Sequence, residues 1–407
     1  MKDQIQTLIN YEAKNSNYNY HLIVLCFLSS LLLFFSPLFS LISSVFLIRL
    51  TNSVRAKSPF KIYLSINIVL ALSIILSSAN LPSITTESDD FARYYYFYLQ
   101  IFNGESTIFD FKEFGSFEPG LLIYFKFLSI FPEMSYKEYS FITSIIFYLI
   151  FLNWIIRYGI SKENRRFEGF IIAISLILIP NALILQLTRQ AFSILFILYA
   201  ISSQRTYIVL LNLIIATLFH LTALPIFLVI FFIQRYKFLA LLLGLVFISL
   251  INIYIFSFLE NLDAIPKIGN LRNLDRFDGS TSTNYGGLQW IIVIYLYGIL
   301  TLINRKSFNR FSDSLKAIGG LYPVIFFTFF YLIFFEIPLI STRITLLYFS
   351  LLLGYLISLI TVSSDFYKFD YIVLFVLTLY TFQKFLSDSF WQSFEMISWF
   401  PGYFLVL

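Results

Sequence analysis

The sequence predicts an all-α fold, a polytopic transmembrane bundle of about 10–12 membrane segments, some broken or re-entrant, joined through two external loops. Three observations predict it. Hydrophobic residues make up 58% of the 407 positions and charged residues only 13%, about half the charged share of an average soluble domain. Apolar runs long enough to cross a bilayer core, which takes about 20 residues, recur along the chain. Basic residues concentrate in some connecting segments and acidic residues in others, the asymmetry that sets membrane orientation. An ordinary soluble enzyme is excluded. The net charge of +5 is scattered through short loops with no contiguous basic face, so no nucleic-acid partner is expected. The single cysteine, Cys26, lies in the first apolar run and permits no internal disulfide.

The apolar run after His21 is longer than a signal-peptide core and lacks a small-residue cleavage site, so a retained anchor is expected. Residues 22–50 carry Ser36-Pro37 near their middle and read as one kinked span, favoured over a pair of half-helices. Arg49, Arg55, Lys57 and Lys61 follow without an acid, which places this connection in the cytoplasm. A second span, 62–79, leads to the loop 80–118, where Glu87, Asp89, Asp90, Glu105, Asp110, Glu113 and Glu118 face only Arg93 and Lys112; this loop is expected outside. Residues 119–131 are too few to cross and end at Pro132, which predicts a re-entrant or interfacial piece. Residues 141–156 return to Arg157, Lys162, Arg165 and Arg166, a second basic connection; 170–186 goes out and 191–202 comes back toward Arg205. The stretch 205–237 is basic at both ends and interrupted by His220, Thr222 and Pro225, so two half-helices meeting at His220 are preferred to one tilted span. Residues 238–259 lead to a second external loop, 260–287, with the polar run GSTSTNYGG, and 288–303 returns to Arg305, Lys306, Arg310 and Lys316. Segments 318–335, 344–361 and 371–385 complete the bundle, and the aromatic tail 390–407 belongs at the outer interface. All of 1–407 is read as one integral membrane domain.

Chemistry is sought among polar groups at membrane depth, where an unpaired group costs several kcal/mol. Arg189 in LTRQAF and Arg343 in PLISTRITLLYF both head apolar helices and are placed near the outer boundary. Two readings compete: snorkelling interfacial anchors, or a pair of guanidinium groups that clamp a pyrophosphate bidentately. His220 in ATLFHLTALP is the only histidine within the apolar core; a lone buried histidine is more often a packing residue, but this one falls at a helix break. Asp89 and Asp90 are followed by Arg93 and by Tyr94, Tyr95, Tyr96 and Tyr98, either a solvated loop with an aromatic belt or a carbohydrate site. Glu118 opens the short re-entrant piece and is, with Asp89, Asp90 and His220, a candidate proton acceptor. Arg93, Tyr95, Gln190, Arg272 and Arg276 are candidate substrate contacts. No Walker-type loop, dinucleotide fingerprint, HExxH, CxxC or GxSxG motif is present, and with two histidines a histidine-rich metal site is excluded.

The segments SDDFARYYYFY, GESTIFDFKEFGSFEPGLLIYFKFL, TRQAFSILFILYA, ATLFHLTALPIFL, STRITLLYF and WFPGYFLVL, in this order, make the chain resemble the bacterial polysaccharide polymerases of the Wzy type, particularly the EpsG-like branch. The resemblance implies transfer of a growing glycan from undecaprenyl pyrophosphate to a lipid-linked repeat unit, with inversion, on the outer face of the inner membrane, without metal or other cofactor. It casts Arg189 and Arg343 as pyrophosphate-stabilising, His220 as the histidine of the helix break, and Asp89 or Asp90 as the acid after the second span. Where the family pattern has a glycine before the first aspartate this chain has SDD, so both aspartates stand. The partners implied are the undecaprenyl-pyrophosphate-linked oligosaccharide, membrane lipid and a chain-length regulator. Competing classes are a flippase or exporter of the same lipid-linked glycans, and an O-antigen ligase. Two arginines at one depth favour a one-sided active site over a transport path, and the loop 260–287 is modest for a ligase.

Overall fold

A computed structural model describes residues 20–53, 58–78, 90–107, 109, 118–161, 164–185, 187–261, 305–334, 343–364 and 370–387. Among the described residues all regular structure is helical, and the chain is a multi-pass membrane protein. Three helices are long and apolar enough to cross a bilayer, Pro59–Ser77, Tyr136–Gly159 and Ala223–Ile251, or up to five if each of two bent pairs counts as one span. Shorter apolar helices accompany them because prolines, glycines and polar residues break the long apolar runs. The chain divides into two compact units: Met1–Tyr96 with Phe131–Gln186 and Phe366–Leu407, and Phe97–Ile130 with Leu187–Asp365.

In the first unit the run 22–50 is folded back on itself. Helix α1 (Tyr20–Phe35) ends at Ser36, and α2 (Pro37–Ser53) starts at the proline, whose fixed φ suits the first helical position. Ser29 Oγ lies 2.7 Å from Ser44 Oγ, and Ser40 Oγ donates to the Ser29 carbonyl at 2.8 Å. A straight helix would hold residues fifteen apart about 22 Å from one another, so the single kinked span favoured from sequence gives way to a helical hairpin. From α3 (Ser58–Ser78), Asn67 Nδ2 reaches Ser44 at 2.7 Å and Ser29 and Ser40 at 3.2 Å, binding three helices through buried polar groups. Helix α4 (Asp90–Phe102) occupies much of the described part of the 80–118 connection; Ala92, Tyr94, Tyr95, Tyr98 and Ile101 are buried while Arg93 and Tyr96 are exposed.

Helix α5 is Gly120–Leu128, the short apolar piece, and α6 (Tyr136–Trp154) opens with a capping box between Ser135 and Glu138. The expected span 170–186 is divided at Pro180 into α7 (Glu168–Ile177) and α8 (Asn181–Leu185). Lys61 Nζ meets Glu168 Oε2 at 3.0 Å, tying the foot of α3 to the start of α7.

In the second unit α9 (Thr188–Ser202) and α10 (Thr206–Phe219) form a hairpin, with Phe192 and Phe196 stacked on Phe219 at 5.2 and 5.9 Å. His220 leaves the helix with extended backbone (φ −158°, ψ 126°), and α11 (Ala223–Asn261) begins three residues later, holding Pro225 in its first turn where a missing N–H is tolerated. Lys237 breaks α11 with φ 48°. The two basic ends of the 205–237 stretch come to the same place. Ser202 Oγ donates to the Ala317 carbonyl at 2.6 Å, while a Cβ on Gly319 would stand 2.9 Å from Gln234 Nε2. The stretch therefore goes out and back as two half-helices with His220 at the tip.

Helix α12 (Arg305–Ser314) runs through a 3₁₀ turn to Gly319 and Gly320, whose φ values of +96° and +93° turn the chain by 79° into α13 (Leu321–Ile333). Helices α14 (Arg343–Leu351) and α15 (Leu353–Ser363) make the other bent pair, at 44°; Tyr348 donates to the Ile318 carbonyl at 2.9 Å, holding α14 against the glycine turn. Helix α16 (Asp370–Ser387) returns to the first unit and packs on α7 and α2.

Candidate active site

The site forms where α5 meets the break between α10 and α11. A Cβ on Gly120 would lie 2.7 Å from the Phe219 nitrogen and 2.8 Å from the Leu218 carbonyl atoms, so the first residue of α5 rests directly on the backbone at the end of α10. Only glycine permits that approach. It sets Glu118, two residues earlier, against the broken helix end.

Glu118 is buried, its side chain only 5% exposed, and both of its oxygens are engaged. Oε2 accepts from Arg189 Nη1 at 2.8 Å. Oε1 accepts the Leu221 N–H at 3.0 Å and lies 2.8 Å from His220 Nδ1. That last approach is a close contact in which the ring N–H is directed off the line to the oxygen. The Leu221 N–H is available because the chain has left helix α10, and a carboxylate just ahead of α11 is also favoured by that helix's dipole. On the other side of the imidazole, Gln190 Nε2 is 2.8 Å from His220 Nε2. With the Gln190 amide donating, Nε2 accepts and the ring carries a proton on Nδ1, on the side of Glu118 but off the line to its oxygen.

Burial raises the Glu118 pKa, but the contact with His220, the Leu221 N–H, and the charges of His220 and Arg189 outweigh it and hold the carboxyl below its usual value. A carboxylate with its lone pairs so committed is a poor base and a good clamp: it fixes Arg189, from the head of α9, beside His220, from the tip of the half-helices. Gln190 is buried, and its Oε1 has no partner among the described residues.

The structure thus brings together four of the residues singled out from sequence: Glu118, Arg189, Gln190 and His220. Arg343 heads α14 in the same unit with an exposed side chain. Arg93 is exposed on α4; Tyr95 packs in the first unit against Tyr136 and Tyr139, at 5.1 and 5.7 Å, and donates to the Met134 carbonyl at 3.0 Å. Asp90 begins α4, its side chain lying outside the described residues, as do Asp89, Arg272 and Arg276. Among the described residues no three His, Cys, Asp or Glu side chains converge in a metal-holding group. Sequence reasoning missed Gly120 and the Leu221 N–H. The only local sign of the former is Glu-Pro-Gly ahead of a short apolar run, and a backbone donor leaves no mark in a sequence.

A family model, that of the EpsG family, matches residues 63–401. No curated protein and no solved structure matches the chain.

Proposed function

The chain belongs to the EpsG family of polysaccharide polymerases, and from that premise we propose that it lengthens a glycan by moving it from a polyprenyl pyrophosphate carrier, undecaprenyl pyrophosphate, onto a second lipid-linked repeat unit. One observation carries the reading: Arg189, Glu118, His220 and Gln190 are locked into one cluster at the end of α9 away from its basic foot. From Arg189 to Ser202 is about 20 Å along the helix, two thirds of a bilayer core. With the basic ends cytoplasmic, the cluster opens toward the outer face of the inner membrane.

In this mechanism an acceptor hydroxyl attacks the anomeric carbon as the bond to the pyrophosphate oxygen breaks, in a single displacement that inverts the centre. The charge developing on the pyrophosphate falls to Arg189 and Arg343, fixed cations in a low-dielectric setting. The hydroxyl proton passes to His220 Nε2 once the Gln190 amide yields that position, with Glu118 steadying the resulting imidazolium from Nδ1. Glu118 remains ionised throughout.

The test supplies purified lipid-linked repeat unit as sole substrate. Wild type gives a ladder of chain lengths. Arg189→Lys, which keeps the charge beside Glu118 but loses the planar fork, and Arg343→Ala are expected to leave single-repeat product, and His220→Gln to slow elongation about 10²–10⁴-fold. Ladders of wild-type length in the two arginine variants would overturn the assignment, and movement of the oligosaccharide across vesicles without lengthening would make the protein a transporter.

A further inference from the structure

At the foot of the second unit, opposite the Glu118 cluster, three distant chain segments converge. The bond from Ser202 to the Ala317 carbonyl and the contact of Gln234 with Gly319 set the ends of α9 and of the first half of α11 on either side of the glycine turn. Each segment brings cations. Arg205 follows Ser202 by three residues, Arg235 and Lys237 follow Gln234 by one and three, and Lys316 immediately precedes Ala317, with Arg310 further back on α12; all five are exposed. Asp313 lies 2.9 Å from Lys316. The break in α11 falls on one of the cations, Lys237, at a φ that side-chain-bearing residues rarely adopt.

Beside the cations lies an apolar rim that is also exposed: Tyr207, Leu210 and Leu211 on α10, and Phe232, Tyr236 and Phe238 on α11. Phe232 and Tyr236 stack at 6.3 Å, and Arg205 donates to the Tyr207 hydroxyl at 3.0 Å. Meanwhile the apolar side of α12 and of the 3₁₀ turn that follows it is turned inward, with Phe311, Leu315 and Ile318 buried, so this segment is held by the protein and presents Arg310 and Lys316 outward. Cations edged by exposed aromatic and aliphatic side chains match one chemistry: a phosphodiester anion attached to acyl chains.

The geometry points to a binding site for anionic phospholipid, formed by Arg205, Arg235, Lys237, Arg310 and Lys316, in the leaflet that contains the basic foot of the second unit. The headgroup phosphate sits among the cations, and the acyl chains lie along the exposed faces of α10 and α11. Because the same Ser202–Ala317 and Gln234–Gly319 contacts close the base of the half-helices that carry His220, lipid bound there braces those half-helices.

The test titrates delipidated protein in detergent with phosphatidylglycerol and with phosphatidylcholine, following bound lipid by native mass spectrometry. Wild type is expected to prefer phosphatidylglycerol, and excess inorganic phosphate is expected not to displace it. Each interfacial cation contributes about a fivefold preference for anionic lipid, so Arg205→Gln/Arg310→Gln/Lys316→Gln is expected to weaken phosphatidylglycerol binding roughly a hundredfold. Lys237→Gly, which removes the charge while easing the backbone, is expected to give about a fivefold loss with the fold retained. Arg165→Gln/Arg166→Gln, in the basic stretch of the first unit, is the control and is expected to bind as wild type does. Equal binding of the two lipids by wild type, equal loss in the control, or displacement by inorganic phosphate would each overturn the proposal.

Discussion

At the scale of single residues, the site turns on what Glu118 does. Its depressed pKa follows from donors already in place, and its charge holds Arg189 and His220 together. A group whose folded pKa lies below the unfolded value of about 4.3 contributes stability above that value and loses it as pH falls through the folded one. The melting temperature of the wild type is therefore expected to be flat from pH 7 to pH 5 as far as this group is concerned and to fall below about pH 4. Glu118→Gln is expected to remove that acid-side loss and to lower elongation about 10–100-fold, with an acid limb still present in the pH–rate profile. Disappearance of the acid limb in the variant would instead make Glu118 the base. Gly120→Ala drives a methyl into the backbone of Leu218 and Phe219, and a destabilisation of about 1–3 kcal/mol is expected on denaturation, with elongation lost as Glu118 is pushed from His220. Unchanged stability would show that α5 is free to slide.

Elements were legible from sequence at the breakers of 22–50 and 205–237, though which way the break resolves was not, and the division of 170–186 at Pro180 went unread. The half-helices meeting at His220 follow from two basic ends that belong on one side of a membrane, and the folded chain brings those ends to adjacent residues. Ser36-Pro37 was equally visible, yet a proline permits both a kink and a reversal. What decides for reversal is the fit of Ser29, Ser40, Ser44 and Asn67, four polar groups from three helices that satisfy one another only in a hairpin. In a Cys26→Ala background, Ser29→Cys/Ser44→Cys is expected to form a disulfide under mild oxidation; no cross-link would restore the single span. The helix α4 went unread because its apolar face is built of tyrosines, which also suit a loop at a membrane interface.

For the whole molecule, the out-and-back course of 205–237 places the basic foot and the Glu118 cluster at opposite ends of one set of helices. With Cys26 replaced by alanine, cysteines at Arg205 and Tyr236 are expected to react with a membrane-impermeant maleimide from the same side, and a cysteine at Leu221 not to react from that side; labelling of the first two from opposite sides would require the stretch to cross. The sequence by itself determined that this is a helical membrane protein, where some of its apolar runs break, and which few polar residues must find partners, because hydrocarbon requires a backbone that satisfies its own polar groups and tolerates no unpaired charge. The tertiary structure alone decided which partners they find. Glu118 and Arg189 are 71 residues apart and Glu118 and Leu221 are 103 apart; the cations of the foot, scattered in the sequence, are likewise gathered by one serine–carbonyl bond and one glycine turn. Such contacts depend on the packing of helices against each other, a property of shape at long range that no local pattern encodes.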